Sequence, residues 1–462
     1  MVPEQNSPQV DLPPVDRLSR PTTHLRRFLA IFQLALVAAP WKLWTPQTVF
    51  PQVPLLEFAC DLPGWCDGIC LAGLVSSSTL LLFLATHELW SRISTGVVVI
   101  SLAGLFLLDQ HRLQPWAWQF FLLAILLTLA DDQTARRGWM WLAISIYFWS
   151  AVSKLDYTFF HQQGPALLGG LKKAAGLLGG ENRWTQLFDI AGSMLFVGGE
   201  FGVSLLLMVP RTRWLGLWGA IGMHLTLLAT LGPFGLNHSK GVLLWNLFFI
   251  GQAWLLFHTT ARAGTASLSI SRRESAWRIW NDCRSASGAN RAAMAVILLA
   301  VLWPSLESFG LCDHWLAWSV YSARPGHANL QSSTQFDAQR FRIPYYDQTT
   351  WDLFEGDSPD APIHRSTRYL NLAEWSLQEL GVPIYPESRF QVGVAWSLAR
   401  ERQLRGRLEL IPAGSRFTGE PLSESTYLEI GPAAQEDLER IASTYNWNAR
   451  PRNLTVSSRE AE

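Results

Sequence analysis

Lys154 and Asp156, near the start of the stretch SKLDYTFF, have the types and spacing of a proton-transfer site. They directly follow an apolar run that ends at Ser153. An amine held at the mouth of an apolar segment has its charged form disfavoured, which suits a general base. The alternative is structural, because a lysine at a helix end often only extends its ammonium to the lipid headgroups, and an aspartate nearby is a common turn residue. These residues alone leave both interpretations open.

Other ionisable residues occupy short polar stretches or interrupt apolar runs. Asp109 and His111 lie in LLDQHRLQPW, and His238 lies in GPFGLNHSKG. Glu200 in VGGEFGVS and His224 in IGMHLTLLATLG stand inside apolar runs. A carboxylate or an imidazole within hydrocarbon is costly, so we expect both to face the interior of a helix bundle and to have a partner there. A structural bond across a helix crossing, or simple packing, would explain them equally well.

The composition indicates that the elements holding these residues are membrane helices. Hydrophobic residues make up 49% of the chain and charged residues only 16%, whereas soluble domains carry about 25% charged residues. Many of the 23 tryptophans flank apolar runs, as in PWKLW and RTRWLGLW, which is typical of an aromatic belt at the membrane surface. The formal net charge is zero, so we expect no nucleic-acid partner.

The apolar runs predict an all-α polytopic membrane protein with a small α/β extramembrane domain at its C-terminal end. A bilayer-spanning helix needs about 17–25 residues, and nine runs approach that length: 26–44, 69–86, 91–108, 115–131, 138–153, 187–209, 214–233, 241–258 and 291–308. A polar tail, 1–24, precedes the transmembrane domain, 25–309. Residues 310–462 are richer in charges and turn signals, and helices are predicted at 371–381, 389–403 and 434–444, with a strand at GRLELIP.

The distribution of lysine and arginine predicts the orientation. One set of alternate loops carries about twice as many of these residues as the other set, and the richer set should be cytoplasmic. We therefore expect a plasma (inner) membrane protein with a cytoplasmic N-terminus, an uncleaved first span and an extracytoplasmic C-terminal domain. This topology places the polar stretches around Asp109, Asp156 and His238 on the same outer face.

Three of the five cysteines, Cys60, Cys66 and Cys70, crowd into CDLPGWCDGIC. This loop is predicted to lie on the outer face, where an oxidising compartment would permit a disulfide among them. No histidine at ligand spacing lies nearby, so the stretch does not predict a metal site.

The order of the motifs resembles the vitamin K-dependent γ-glutamyl carboxylase and its bacterial relatives, the horizontally transferred transmembrane (HTTM) domain family. AVSKLDYTFF is similar to the family's Lys-Leu-Asp motif with aromatics, and LLDQHRLQPWAWQF to its polar loop with a histidine. GGEFGVSLLLMVPRTRWLG is similar to a helix with an acidic residue after glycines, and IGMHLTLLA to the following helix with a lone histidine. The resemblance covers roughly residues 25–260.

The resemblance implies a quinol-dependent enzyme without a metal. Lys154 would be the base that deprotonates vitamin K hydroquinone or menaquinol, and His224 would be the intramembrane histidine of the same site. Oxygen would convert the quinol to its epoxide. The strong base so formed would remove a γ-proton from a protein glutamate, to which CO2 would then add. Trp149 and Tyr157 would pack against the quinone ring. The supporting polar cluster would be Asp109, His111, Asp156, Glu200 and His238.

Two other functions stay open at this point. The region after the last span is much shorter than in the animal carboxylase, which favours a non-catalytic membrane scaffold whose outer domain recruits a partner. In a transporter, Glu200 and His224 would instead form a proton relay. The matched pair of broken helices typical of inverted-repeat transporters is absent from the sequence pattern, so this third hypothesis ranks last. The substrate of an enzyme on this fold would be a protein or a small molecule.

Overall fold

The structure is a computed structural model that describes residues 21–46, 49–176, 183–264, 287–321, 324–332, 343–347, 368–431 and 434–453. Most of the described chain is helical, and a small antiparallel sheet lies in its C-terminal part. This confirms the predicted combination of a helical membrane region with a smaller mixed domain.

The apolar runs form eleven helices between residues 21 and 302 of the described chain: α1 (Pro21–Ala38), α2 (Trp41–Trp44), α3 (Trp65–Leu84), α4 (Glu88–Leu108), α5 (Pro115–Leu129), α6 (Asp132–Ser153), α7 (Gly164–Ala174), α8 (Arg183–Met208), α9 (Arg213–Leu231), α10 (Lys240–Gly264) and α11 (Gly288–Leu302). Short 3-10 turns occur at Glu57–Asp61, Gln110–Arg112 and Trp303–Phe309, and a π-helical turn occurs at Phe159–Gln163.

Six helices of the described chain are long and apolar enough to cross a bilayer: Trp65–Leu84, Glu88–Leu108, Asp189–Met208, Arg213–Leu231, Lys240–Thr259 and Gly288–Phe309. The chain is therefore a multi-pass membrane protein, but the predicted number of nine spans is not confirmed. The predicted spans 26–44, 115–131 and 138–153 are the ones that fall short. α5 is apolar but has only 15 residues, and charged residues occupy the first turns of α6.

α5 and α6 form the centre of the bundle rather than its lipid-facing surface. Trp116 and Phe120 of α5 and Trp139 of α6 are at most 2% exposed. Polar side chains join this centre to α10, because Gln252 Oε1 accepts hydrogen bonds from Gln119 Nε2 at 3.1 Å and from Trp139 Nε1 at 2.9 Å. Polar groups that bond one another in this way hold buried helices together.

The C-terminal domain, called the outer domain here after its predicted position, contains a five-stranded sheet and three helices. The strands are β1 (His327–Ser332), β2 (Tyr345–Asp347), β3 (Arg368–Leu370), β4 (Gly406–Ile411) and β5 (Thr426–Ile430), all antiparallel in the order β2-β3-β1-β4-β5. The helices are α12 (Leu372–Leu380), α13 (Ser388–Glu401) and α14 (Gln435–Ala442). These helices and β4 agree closely with the predicted ones.

The outer domain packs directly on the ends of the membrane helices. Gly393 of α13 allows this approach, since a Cβ there would lie 2.7 Å from both Val53 and the Ala449 carbonyl oxygen. Asp67 at the start of α3 bonds both Arg112, at 2.6 Å, and Arg452 near the end of the described chain, also at 2.6 Å. All three of these side chains are fully buried. The start of α3, the α4–α5 turn and the outer domain therefore lie on one face.

Candidate functional site

The candidate site is a buried ion pair between Lys154 and Glu200. Lys154 Nζ lies 2.9 Å and 2.8 Å from the two carboxylate oxygens of Glu200, and it also donates to Ser150 Oγ at 2.6 Å. Lys154 is 3% exposed and Glu200 is 9% exposed. The three donor positions of the ammonium are thus directed at one carboxylate and one helix turn. Glu200 has the partner that its place in an apolar run predicts.

The end of α6 sets the direction of the lysine side chain. Lys154 follows the last residue of α6, and its N–H bonds the carbonyl groups of Ala151 and Val152. Asp156 then starts the next turn, because its carboxylate accepts the N–H of Phe159 at 3.0 Å. Asp156 is buried and has a capping role in this turn, so the sequence SKLD ends one helix and begins another.

α6 and α8 bring the two charges together. Phe148 of α6 and Phe201 of α8 pack with ring centroids 5.3 Å apart. Phe201 directly follows Glu200 in the chain, and Phe148 directly precedes Trp149. Trp149 itself turns to the last span, where its Nε1 donates to the Val301 carbonyl oxygen at 2.7 Å. This bond joins α6 to α11, and the contact of the Trp149 ring with a quinone stays a prediction.

A second polar row lies deeper along α6. Tyr147 is seven residues before Lys154, about 10 Å away along the helix axis on the same face. Its hydroxyl lies 3.0 Å from His224 Nε2, and His224 Nδ1 lies 2.8 Å from Asn246 Oδ1. Asn246 Nδ2 donates to the Val242 carbonyl oxygen at 2.9 Å, so Asn246 Oδ1 is the acceptor of the His224 Nδ1–H. Tyr147 then donates to His224, and the row joins α6, α9 and α10.

Two further side chains, Tyr321 and His238, contact one another in the segments that flank the membrane helices near this site. Tyr321 follows the last span, and the Glu200 carboxylate is close enough to act on its phenol electrostatically. Burial first, and the Glu200 charge second, raise the pKa of Tyr321 above its ordinary value. The ring of His238, in the α9–α10 loop, lies 6.1 Å from the ring of Tyr321. Of the predicted polar cluster, Glu200 thus contacts Lys154 and His238 contacts Tyr321.

The hairpin between β4 and β5, which contains a bridge between Gly414 and Pro421, holds the end of α6. Arg416 lies in this hairpin, and its Nη2 bonds Glu307 at 2.6 Å while its Nη1 donates to the Val152 carbonyl oxygen at 3.3 Å. The Arg416 carbonyl oxygen accepts the N–H of Tyr157 at 2.8 Å. Arg324 also pairs with the buried Glu307. Charged side chains of the outer domain therefore cover the C-terminal end of α6, next to Lys154.

Tyr157, the second residue predicted to contact a quinone ring, lies at the surface next to this end of α6. Its ring stacks on His161 with centroids 3.8 Å apart and it is 41% exposed. It also faces the hairpin, since a Cβ at Gly419 would lie 2.6 Å from its ring. Its side chain thus packs against the hairpin on one side and is exposed on the other.

Asp109 and His111 belong to a different place, the contact between the α4–α5 turn and the outer domain. The Asp109 carboxylate accepts the His111 N–H at 3.1 Å, and His111 Nε2 lies 3.0 Å from the Pro383 carbonyl oxygen. Burial raises the pKa of Asp109 to about 6 and lowers the pKa of His111 to about 4. The predicted convergence of all the polar stretches on one site is therefore only partial, although these stretches share one face.

The disulfide expected among Cys60, Cys66 and Cys70 is absent, and all three are free thiols. Cys60 Sγ lies 3.4 Å from Asn448 Nδ2 of the C-terminal segment. Cys70 packs on α4, since a Cβ at Gly104 would lie 2.6 Å from its sulfur. The thiols therefore point at different neighbours. Among the described residues no group of three or more His, Cys, Asp or Glu is arranged to hold a metal ion.

Several residues of the site were missed by the sequence pattern. Asn246 left a readable signal, as the lone amide in the apolar run LLWNLFF. Ser150 and Tyr147 were also readable, because they precede Lys154 by about one and two helical turns. Tyr321 and Arg416 gave no local signal, since only the packing of the outer domain brings them to α6 and α8.

Comparisons of the chain with protein-family models, with curated proteins and with solved structures return no match. The function proposed below is accordingly argued from the geometry of the site together with the resemblance of its motifs.

Proposed function

We propose that this chain is a quinol-dependent membrane enzyme in which Lys154 is the base and Glu200 its proton partner. The observation that carries the proposal is the buried pair of Lys154 with Glu200, at the end of α6. The resemblance of AVSKLDYTFF to the Lys-Leu-Asp motif of the carboxylase family supports the same assignment. The side of the membrane follows from the lysine and arginine distribution, which favours the outer face.

The pair suits a base because it can change its protonation without burying net charge. An ammonium beside a carboxylate is neutral overall, and so is an amine beside a carboxylic acid. Moving one proton from Lys154 to Glu200 therefore frees the amine at little electrostatic cost. Leaving a single charge buried without a partner would cost far more. The amine can then accept a proton from a hydroxyl group placed next to it, while Ser150 keeps the nitrogen oriented.

A quinol, when bound, would supply acidic hydroxyl groups and two electrons for the reduction of oxygen. The residues present fit such a ligand, since a lysine and a carboxyl group lie within hydrogen-bond distance of one another and are both buried. Tyr147 and His224 lie deeper and hold the supporting helices. We propose for His224 a positioning role, because its described partners are Tyr147 and Asn246.

The test uses the full chain in lipid nanodiscs with reduced vitamin K or reduced menaquinone under oxygen. Formation of quinone and of epoxide is followed for the wild type, Lys154→Ala and the control Lys172→Ala, which removes a lysine paired with Asp189, about 16 Å from Glu200 along the axis of α8. We expect Lys154→Ala to lower turnover by about 10²–10⁴-fold, the range for loss of a general base. Lys172→Ala should keep wild-type turnover.

Full turnover by a folded Lys154→Ala variant would refute the assignment of the base. Elution as a single species, with a melting temperature near that of the wild type, shows that the variant is folded. Glu200→Gln adds a second check, because it removes the proton acceptor and leaves the Lys154 ammonium unpaired. It should lower turnover while retaining the lysine.

A non-catalytic scaffold is the second candidate. It is favoured by the way in which buried charges, Asp67 with Arg112 and Arg452, fix the outer domain to the helices. Such a rigid outer surface would suit recruitment of a partner. Absence of any quinol turnover in the wild type would favour the scaffold.

A further inference from the structure

The segment that follows the last span adopts an unusual backbone at the candidate site. Among the described residues, four non-glycine residues have a positive φ: Asn237, Trp318, Tyr321 and Gln403. Trp318 has φ 61° and Tyr321 has φ 65°, and bulky side chains rarely occupy this left-handed region. Asn237 directly precedes His238. Three of the four positions, of which Trp318 and Tyr321 are strained, therefore lie in the two segments that meet where the rings of His238 and Tyr321 approach one another.

The same two segments hold buried polar atoms that have no hydrogen-bond partner within the described part of the chain. They are the Tyr321 hydroxyl, Ser319 Oγ, Trp318 Nε1 and Ser239 Oγ. Trp318 is fully buried and Ser319 is 3% exposed. A buried polar atom without a hydrogen bond is costly, so a group of such atoms in strained backbone is typical of a binding site for a polar ligand.

Tyr321 is the member of this group whose segment is fixed to the end of α6. Arg324, three residues after it, pairs with Glu307, and Arg416 bonds both Glu307 and the Val152 carbonyl oxygen next to Lys154. The charge of Glu200 acts on the Tyr321 phenol from this side. Its raised pKa keeps the phenol protonated at neutral pH, so Tyr321 can donate a hydrogen bond. His238 accepts the Ser239 N–H at its Nδ1, at 2.8 Å, which leaves the proton of a neutral ring on Nε2. The outer side of the site is therefore rich in donors.

We propose that Tyr321, together with the His238–Ser239 turn, forms the outer wall of the Lys154 site and donates a hydrogen bond to an oxygen atom of the bound ligand. The naming of this ligand as a quinone or quinol rests on the function proposed above. The placement of the wall rests on the backbone, the unbonded atoms and the ring contact. In this proposal Lys154 belongs to the membrane helices, whereas Tyr321 lies between the last span and β1. The site is therefore complete only when the outer domain is docked on the helices.

The experiment measures binding of oxidised vitamin K, which cannot turn over, to the full chain in nanodiscs through quenching of tryptophan fluorescence. Tyr321→Phe removes only the hydroxyl. We expect binding to weaken about 3–10-fold, as for loss of one neutral hydrogen bond. The melting temperature of the ligand-free protein should not fall, since the hydroxyl has no partner among the described residues. Tyr427→Phe is the matched control, because Tyr427 is an exposed tyrosine whose hydroxyl bonds Glu409; it should bind as the wild type does.

The outcomes separate the two proposals. Equal binding by the wild type and Tyr321→Phe, or a lower melting temperature of ligand-free Tyr321→Phe, would overturn the wall, even if Lys154→Ala abolishes turnover and so upholds the base. Weaker binding by Tyr321→Phe would uphold the wall even where Lys154→Ala leaves turnover unchanged. A wild type that binds no quinone overturns the wall as a quinone site.

Discussion

Asp109 and His111 show how strongly burial acts on single side chains outside the membrane. The pKa of Asp109 rises from 3.8 to about 6, mainly through burial, and Arg112 opposes this rise. The pKa of His111 falls from 6.5 to about 4, again mainly through burial. Asp109 therefore contributes stability that is present at low pH and is lost as the pH rises through about 6. His111 contributes stability that is present above pH 6.5 and is lost as the pH falls towards 4.

We predict that Asp109→Asn makes the protein more sensitive to acid. Between about pH 4 and 6 the two contributions oppose one another in the wild type, and the variant keeps only that of His111. Its melting temperature should therefore fall more steeply than that of the wild type between pH 6.5 and 4. The measurement is thermal unfolding of both proteins in the same nanodiscs across this range. Parallel curves would contradict the prediction.

The sequence singles out ionisable residues in apolar runs but does not indicate which residues they pair with. Glu200 and His224 are conspicuous because ionisable groups are costly in apolar runs, and both have partners as expected. The identity of those partners depends on helix rotation and crossing, which the sequence pattern does not contain. Asp109 and His111 were grouped with Lys154 because they share a face, but a face extends over many side chains and sharing it does not bring residues into contact.

At the scale of elements, the hairpin around Arg416 decides how firmly the end of α6 is held. Arg416 bonds both Glu307, which is 5% exposed, and the Val152 carbonyl oxygen. Bonds to charged groups contribute about 1.5–3 kcal/mol each, so the hairpin is a substantial part of the support for Lys154.

We predict that Arg416→Ala destabilises the protein by about 1.5–3 kcal/mol, since a buried carboxylate loses one of its partners. Arg407→Ala is the control, because its pair with Glu429 is solvent exposed and should contribute within about 1 kcal/mol. Both are compared with the wild type by chemical unfolding in the same lipid. An Arg416→Ala effect no larger than that of Arg407→Ala would show that the hairpin does not support α6.

The elements themselves were predictable to different degrees. α12, α13 and α14 agree with the predicted helices because amphipathic periodicity and turn residues define them locally. The number of spans did not follow from apolar runs, because α5 and α6 are covered by other helices and need neither the length nor the composition of a lipid-facing helix.

At the scale of the whole molecule, one buried carboxylate joins distant parts of the chain. Asp67 is bonded by Arg112 and by Arg452, and none of the three side chains is exposed. A buried charge network of this kind is costly to break, because removing one member leaves the others uncompensated.

We predict that Asp67→Asn destabilises the protein by about 3–5 kcal/mol and loosens the outer domain, since two buried guanidinium groups lose their carboxylate. Asp437→Asn, which breaks an exposed pair with Arg440, should change stability by at most about 1 kcal/mol. Thermal unfolding and limited proteolysis of the outer domain measure the two effects. Resistance of Asp67→Asn to both would contradict the prediction.

The two partners of Asp67 are made at very different times during synthesis. Arg112 is translated soon after the aspartate, whereas Arg452 comes 385 residues later, about 20–80 seconds at ordinary rates of elongation. During this interval the start of α3 carries only one of its two arginine partners. The helices inserted first therefore reach their final packing only after the C-terminal domain has been synthesised and has folded. The same domain holds the end of α6 through Arg416, so the candidate site around Lys154 would be assembled last.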